Sequence, residues 1–84
     1  CSSDLYFIET LIDKYGVTEK SLHIILEGFL SGQFDKIFKN LAKLMEDEKN
    51  KKFLTKELEN YGKYEKEDIL YSIWGNKWKK FFKE

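Results

Sequence analysis

Few side chains in this 84-residue sequence could act as a nucleophile, a proton carrier or a metal ligand. His23 is the one histidine and Cys1 the one cysteine. A single thiol permits no intrachain disulfide, and a single imidazole provides none of the paired spacings that hold a metal. No nucleophile motif stands near His23 to form a proton relay with it. The adjoining carboxylates Glu46, Asp47 and Glu48 fall in a charge run with Lys49, Lys51 and Lys52, not in an apolar pocket that would separate them into an acid and a base. These residues predict a protein that is not an enzyme and takes no cofactor or metal.

Two other groupings have the chemistry of binding. Glu19, Lys20, Ser21, His23, Ile24 and Glu27 are spaced as the outward face of one helix. Near the end of the chain, Trp74, Lys77, Trp78, Lys79 and Lys80 interleave aromatic and cationic side chains. Three roles fit that second pattern. The aromatics can anchor a core while the lysines complement a helix C-terminus. The segment can instead be a basic amphipathic helix for an anionic membrane or a partner's groove, or its tryptophans can stack on single-stranded bases.

The elements that carry these groups are helical. The chain is 42% apolar and 17% aromatic and contains no proline, a composition with enough apolar material for a core. Ser2, Ser3 and Asp4 offer caps for a first helix with Leu5, Ile8, Leu11, Ile12 and Tyr15 on one face. Gly16 fits the left-handed residue that ends it. Thr18 caps a second helix with Leu22, Ile25, Leu26 and Phe29 inward, closed by Ser31-Gly32. A third stripe runs through Phe34, Ile37, Phe38, Leu41, Leu44 and Met45. Past it, acids four residues before lysines (Asp47 to Lys51, Glu48 to Lys52) favour continued helix, whereas Asn50 could cap a new one, so residues 33–60 read as one helix or two. Phe53, Leu54, Leu58 and Tyr61 form a further face ending at Gly62. A last helix runs through Ile69, Leu70, Ile73, Trp74, Trp78 and Phe81, with Gly75 inside it as a kink or a tight contact. Tyr15-Gly16 and Tyr61-Gly62, 46 residues apart, suggest two related helical hairpins.

Charge limits the partners. Fifteen acids balance fifteen lysines, and there is no arginine, so the excess of cations expected of a phosphate-binding protein is missing overall. The balance hides an asymmetry. Residues 1–34 hold five acids and two lysines, a net charge of −3, and residues 35–84 hold ten acids and thirteen lysines, a net charge of +3. Attraction to a polyanion would come from the second half.

Residues 11–44, with the turn Tyr15-Gly16-Val17-Thr18, Leu22, Ile25 and Gly28, and the stripe Ile37, Phe38, Leu41 and Leu44, resemble the helix-turn-helix of Cro-like phage repressors. That resemblance implies a tri-helical unit whose second helix enters DNA, bound as a dimer. The face it would present, however, carries Glu19, Glu27 and Ile24, which meet phosphate poorly and suit a protein surface better. A chain beginning Cys1-Ser2-Ser3-Asp4 also resembles a mature bacterial lipoprotein, whose first residue is the lipidated cysteine. The stretch from Tyr64 to Tyr71 followed by Trp78 is similar to repeats of phage-encoded lipoproteins that exclude superinfecting phage.

The sequence therefore predicts one all-α domain over residues 1–84, of four or five short helices, with a helix-turn-helix-like half (1–45) and a second helical half (50–84). The expected role is a non-enzymatic binding module that recognises a protein partner. A DNA-binding regulator of phage or plasmid type, acting in the cytoplasm on duplex DNA as a homodimer, is the first alternative. A surface lipoprotein with an exclusion or immunity role, touching the membrane through Cys1, is the second.

Overall fold

The computed structural model describes residues 2–33 and 39–82, with side chains over 6–33 and 41–82. The protein is all-α, and the described residues contain no strand. Helix α1 spans Ser2–Tyr15, α2 Glu19–Leu30, α3 Lys39–Leu44, α4 Glu48–Leu58 and α5 Lys63–Trp74, followed by a 3₁₀ turn over Gly75–Lys77 and the single-turn α6 at Trp78–Phe81. Cys1, Phe34, Ile37 and Phe38 lie outside the described residues.

Local sequence accounts for the helix ends. Gly16 adopts φ +74°, the left-handed region that favours glycine, and its N–H reaches the Ile12 carbonyl at 2.7 Å. Thr18 then caps α2: its Oγ1 accepts the Ser21 N–H at 3.1 Å, and the Ser21 hydroxyl accepts the Thr18 N–H at 2.9 Å, a reciprocal capping box. At the other end of α2, Gly32 sits at φ +84°. There the Gln33 N–H bonds the Gly28 carbonyl at 2.9 Å and the Gly32 N–H the Phe29 carbonyl at 3.2 Å, the pairing of a left-handed helix terminus.

Residues 39–58 form two helices. Asp47, in extended backbone, is the cap of α4 and accepts the Lys49 N–H at 2.9 Å. Asn50, the cap suggested by sequence, instead lies inside α4 and donates from Nδ2 to the Leu44 carbonyl at 2.9 Å, tying the end of α3 to the next helix. The cap and this tie together favour a corner over continuous helix.

One apolar cluster holds the elements together. Ile8 of α1, Leu22, Ile25 and Leu26 of α2, Leu41 of α3, Met45 just after α3, Leu54 and Leu58 of α4, Ile69, Leu70 and Ile73 of α5, and Phe82 are buried in it. The main helix pairings are α2 on α4 and α3 on α5, so both halves of the chain share this core. Tyr15 departs from its expected inward stripe and is 59% exposed. The likeness of the two Tyr-Gly turns stops at sequence. Gly16 ends a helix at positive φ, whereas Gly62 begins one at φ −75°, its N–H donating to Glu65 Oε1 at 2.9 Å.

Gly75 breaks the expected last helix. It adopts φ 69° and ψ −151°, a region essentially reserved for glycine, and a Cβ placed there would have nothing within 4 Å. Backbone conformation, not a close contact, is the constraint. The chain reverses at this point, and Trp74 of α5 stacks on Phe81 of α6 with centroids 6.0 Å apart and planes at 14°. Gly75→Ala will destabilise the protein by about 1–3 kcal/mol in urea unfolding; a gain in stability, as for a glycine inside a regular helix, would contradict this backbone.

Candidate functional site

The face of α2 singled out by sequence divides in two. Ser21 is 2% exposed, and its hydroxyl donates to the Gly16 carbonyl at 2.9 Å. Its place at the third position of the capping box turns it inward, so it is not on the outer face. Glu19 and His23 are turned to α4. Glu19 Oε1 lies 3.3 Å from Lys56 Nζ, a solvent-exposed pair of small energetic weight. His23 Nδ1 lies 2.7 Å from Glu57 Oε2. Lys20 and Ile24 remain on the other side of the helix, which faces α1.

Sequence reasoning missed Glu57. It occupies the α4 face that packs on α2 and is 5% exposed. A carboxylate removed from water needs donors, and two converge on its Oε2: the His23 ring and, at 3.1 Å, the Tyr61 hydroxyl. Tyr61 has left its expected role as a purely apolar end of the α4 face. Burial first, then hydrogen bonding to Glu27 and Glu57, pushes its phenol above the ordinary value. The hydrogen bond to Glu57 is the largest effect on His23 and raises its pKa above 6.5 against the smaller opposing effect of desolvation. Glu27 adds a further favourable charge. The spacing of Glu57 from Leu54, Leu58 and Tyr61 was a signal in sequence, since position 57 falls on the apolar side of the helix.

This cluster can bind and release a proton while it joins α2 to α4. It does not form a metal site: no group of three or more His, Cys, Asp or Glu among the described residues is arranged to hold an ion.

On the opposite side of α2, Leu11 and Tyr15 of α1 and Ile24 of α2 line an open groove of about 470 Å³, with Lys20 beside them and Thr18 and Ser21 in its wall. Ile24 is 39% exposed. The second sequence candidate is divided by the Gly75 break, so Trp74, Lys77, Trp78, Lys79 and Lys80 do not share one amphipathic helix. Trp74 and Trp78 are half-buried against the core, and Lys77, Lys79 and Lys80 are exposed. Lys79 Nζ stands over the Trp78 ring, 5.6 Å from its centroid. No described helix is long and apolar enough to cross a membrane.

The chain belongs to a family of unknown function, DUF6138, whose profile matches residues 2–83. No curated protein and no solved structure matches it.

Because folding raises the His23 pKa, its contribution to stability is fully present below the unfolded value of 6.5 and is lost as pH rises through the folded value. Urea midpoints measured from about pH 6 to 8, the interval in which histidine titrates, will fall with rising pH, and His23→Gln will flatten that dependence. Tyr61→Phe removes one of the two donors to Glu57 and will cost about 1–2 kcal/mol at neutral pH.

Proposed function

We propose that this protein is a non-enzymatic helical binding module that recognises a protein partner through the groove between α1 and α2. The observation that carries this reading is the pairing of Tyr15 and Ile24, both exposed and both lining that groove with Leu11. Both are large side chains that face water on adjacent helices. Exposed apolar and aromatic residues that share one concave surface are the usual anchors of a protein interface.

The polar side of α2 gives weaker support to a DNA-binding role. Ser21 is consumed by the capping box, and Glu19 and His23 are paired with α4. Glu27 takes part in the Tyr61 and His23 cluster, so the side chains left outward are Lys20 and Ile24. A recognition helix depends on hydrogen-bonding side chains free to reach base edges.

A photo-crosslinking amino acid at position 24, introduced into the full chain in its native cells, tests the proposal. Discrete protein adducts are expected, and excess unlabelled chain should suppress them. Excess Ile24→Asp chain, with unchanged helical circular dichroism, should suppress them at least tenfold less effectively, equal to about 1.4 kcal/mol of binding. Equal suppression by both chains, or no adducts, would defeat the reading.

A further inference from the structure

The lysines of the second half of the chain are gathered by the fold along two adjoining grooves. In the first, of about 500 Å³, Lys63 and Lys66 of α5 and Lys79 of α6 surround Trp78 and Phe82, and Glu67 lines it too. In the second, of about 270 Å³, Lys51 and Lys52 of α4 and Lys80 of α6 flank Phe81, and Glu48 lines it too. Phe82 lines both. Among the described residues six cations and two acids thus follow a path bordered by Trp78 and Phe81, and Phe81 is 45% exposed along it.

From this arrangement we infer that the α4–α5–α6 face binds single-stranded nucleic acid. Repeated cations beside aromatic rings match the two features of such a strand, a phosphate at each step and a flat base that gains by stacking. An acidic peptide would match the lysines but does not bring a flat ring at each step, so it fits the exposed aromatic rings less closely. A duplex keeps its bases stacked inside and would gain nothing from the rings. The reversal at Gly75 creates the path. A continuous helix would separate Phe81 and Lys80 from α4, whereas the folded-back α6 sets them beside Lys51 and Lys52.

This surface is separate from the α1–α2 groove, so its test is independent of that one. Fluorescein-labelled oligothymidine of about twelve nucleotides is titrated with the full chain and followed by anisotropy. With three phosphates neutralised, affinity should fall about 20-fold between about 50 and 200 mM salt. The double substitution Lys63→Glu with Lys79→Glu should weaken binding at least tenfold and flatten the salt dependence, while Ile24→Asp leaves both unchanged. Circular dichroism of the double variant should match that of the parent, since both lysines are exposed. Lack of binding at the lower salt overturns the inference, as does binding that the double substitution leaves intact. Equal or tighter binding of a random duplex of the same length overturns it too, as does capture by phosphatidylserine-containing vesicles without capture of the oligonucleotide.

Discussion

A carboxylate held out of water where α2 meets α4 sets the terms for much of this structure. Glu57 lies among the apolar residues that bury that contact, where an ionised group without donors would be strongly unfavourable. His23 from α2 and Tyr61 from just beyond α4 both reach the same oxygen. The requirement fixes more than one pairwise bond. It sets the rotation of α2, which carries His23 inward toward α4 and leaves Ile24 on the far side, and it fixes the exit of the chain after α4, since Tyr61 must turn back to its own helix. Among the described residues no buried side-chain nitrogen or oxygen lacks a partner, so the polar cluster is closed and specifies one arrangement of the two helices.

Because α2 is committed to α4 on one side, the surface it can offer lies toward α1. The glycine turn and capping box over residues 16–21 make that geometry rigid, with Ser21 bonding across the turn to Gly16. Tyr15 and Ile24 come from opposite sides of this turn and line the same groove. The internal hydrogen bonding to Glu57 and the outward apolar groove are therefore two consequences of one helix orientation.

The other surface depends on a backbone constraint. Gly75 provides a conformation that other residues adopt only with strain, and the short return through α6 brings Phe81 onto Trp74 and Phe82 into the core. Lysines distant in sequence then converge on shared grooves although the chain as a whole has no net charge. Local charge density depends on which segments pack together, and neutrality of the total conceals it.

Sequence by itself determined the helical class, because spacings of three and four between apolar residues specify a helix face before any partner is known. It likewise determined the turn at Gly16 and Thr18 and the close at Ser31-Gly32, where hydrogen bonds span only a few residues. Leu22, Ile25 and Leu26 were legible as core for the same reason. Where several local signals competed, tertiary contacts decided. Asp47 and Asn50 could each cap a helix, and the tie from Asn50 to Leu44 assigned the cap to Asp47. Gly75 was visible as an interruption, but the direction in which the chain leaves it is seen only with the packing of Trp74, Phe81 and Phe82. Ser21 read as outward by helical periodicity and is inward because the cap holds it. The role of Glu57 was the least visible, since a charged residue on an apolar face shows its purpose only when donors 34 residues earlier and four residues later close around it. Local bonds are written in neighbouring residues, whereas burial of a charge is settled by which helices meet.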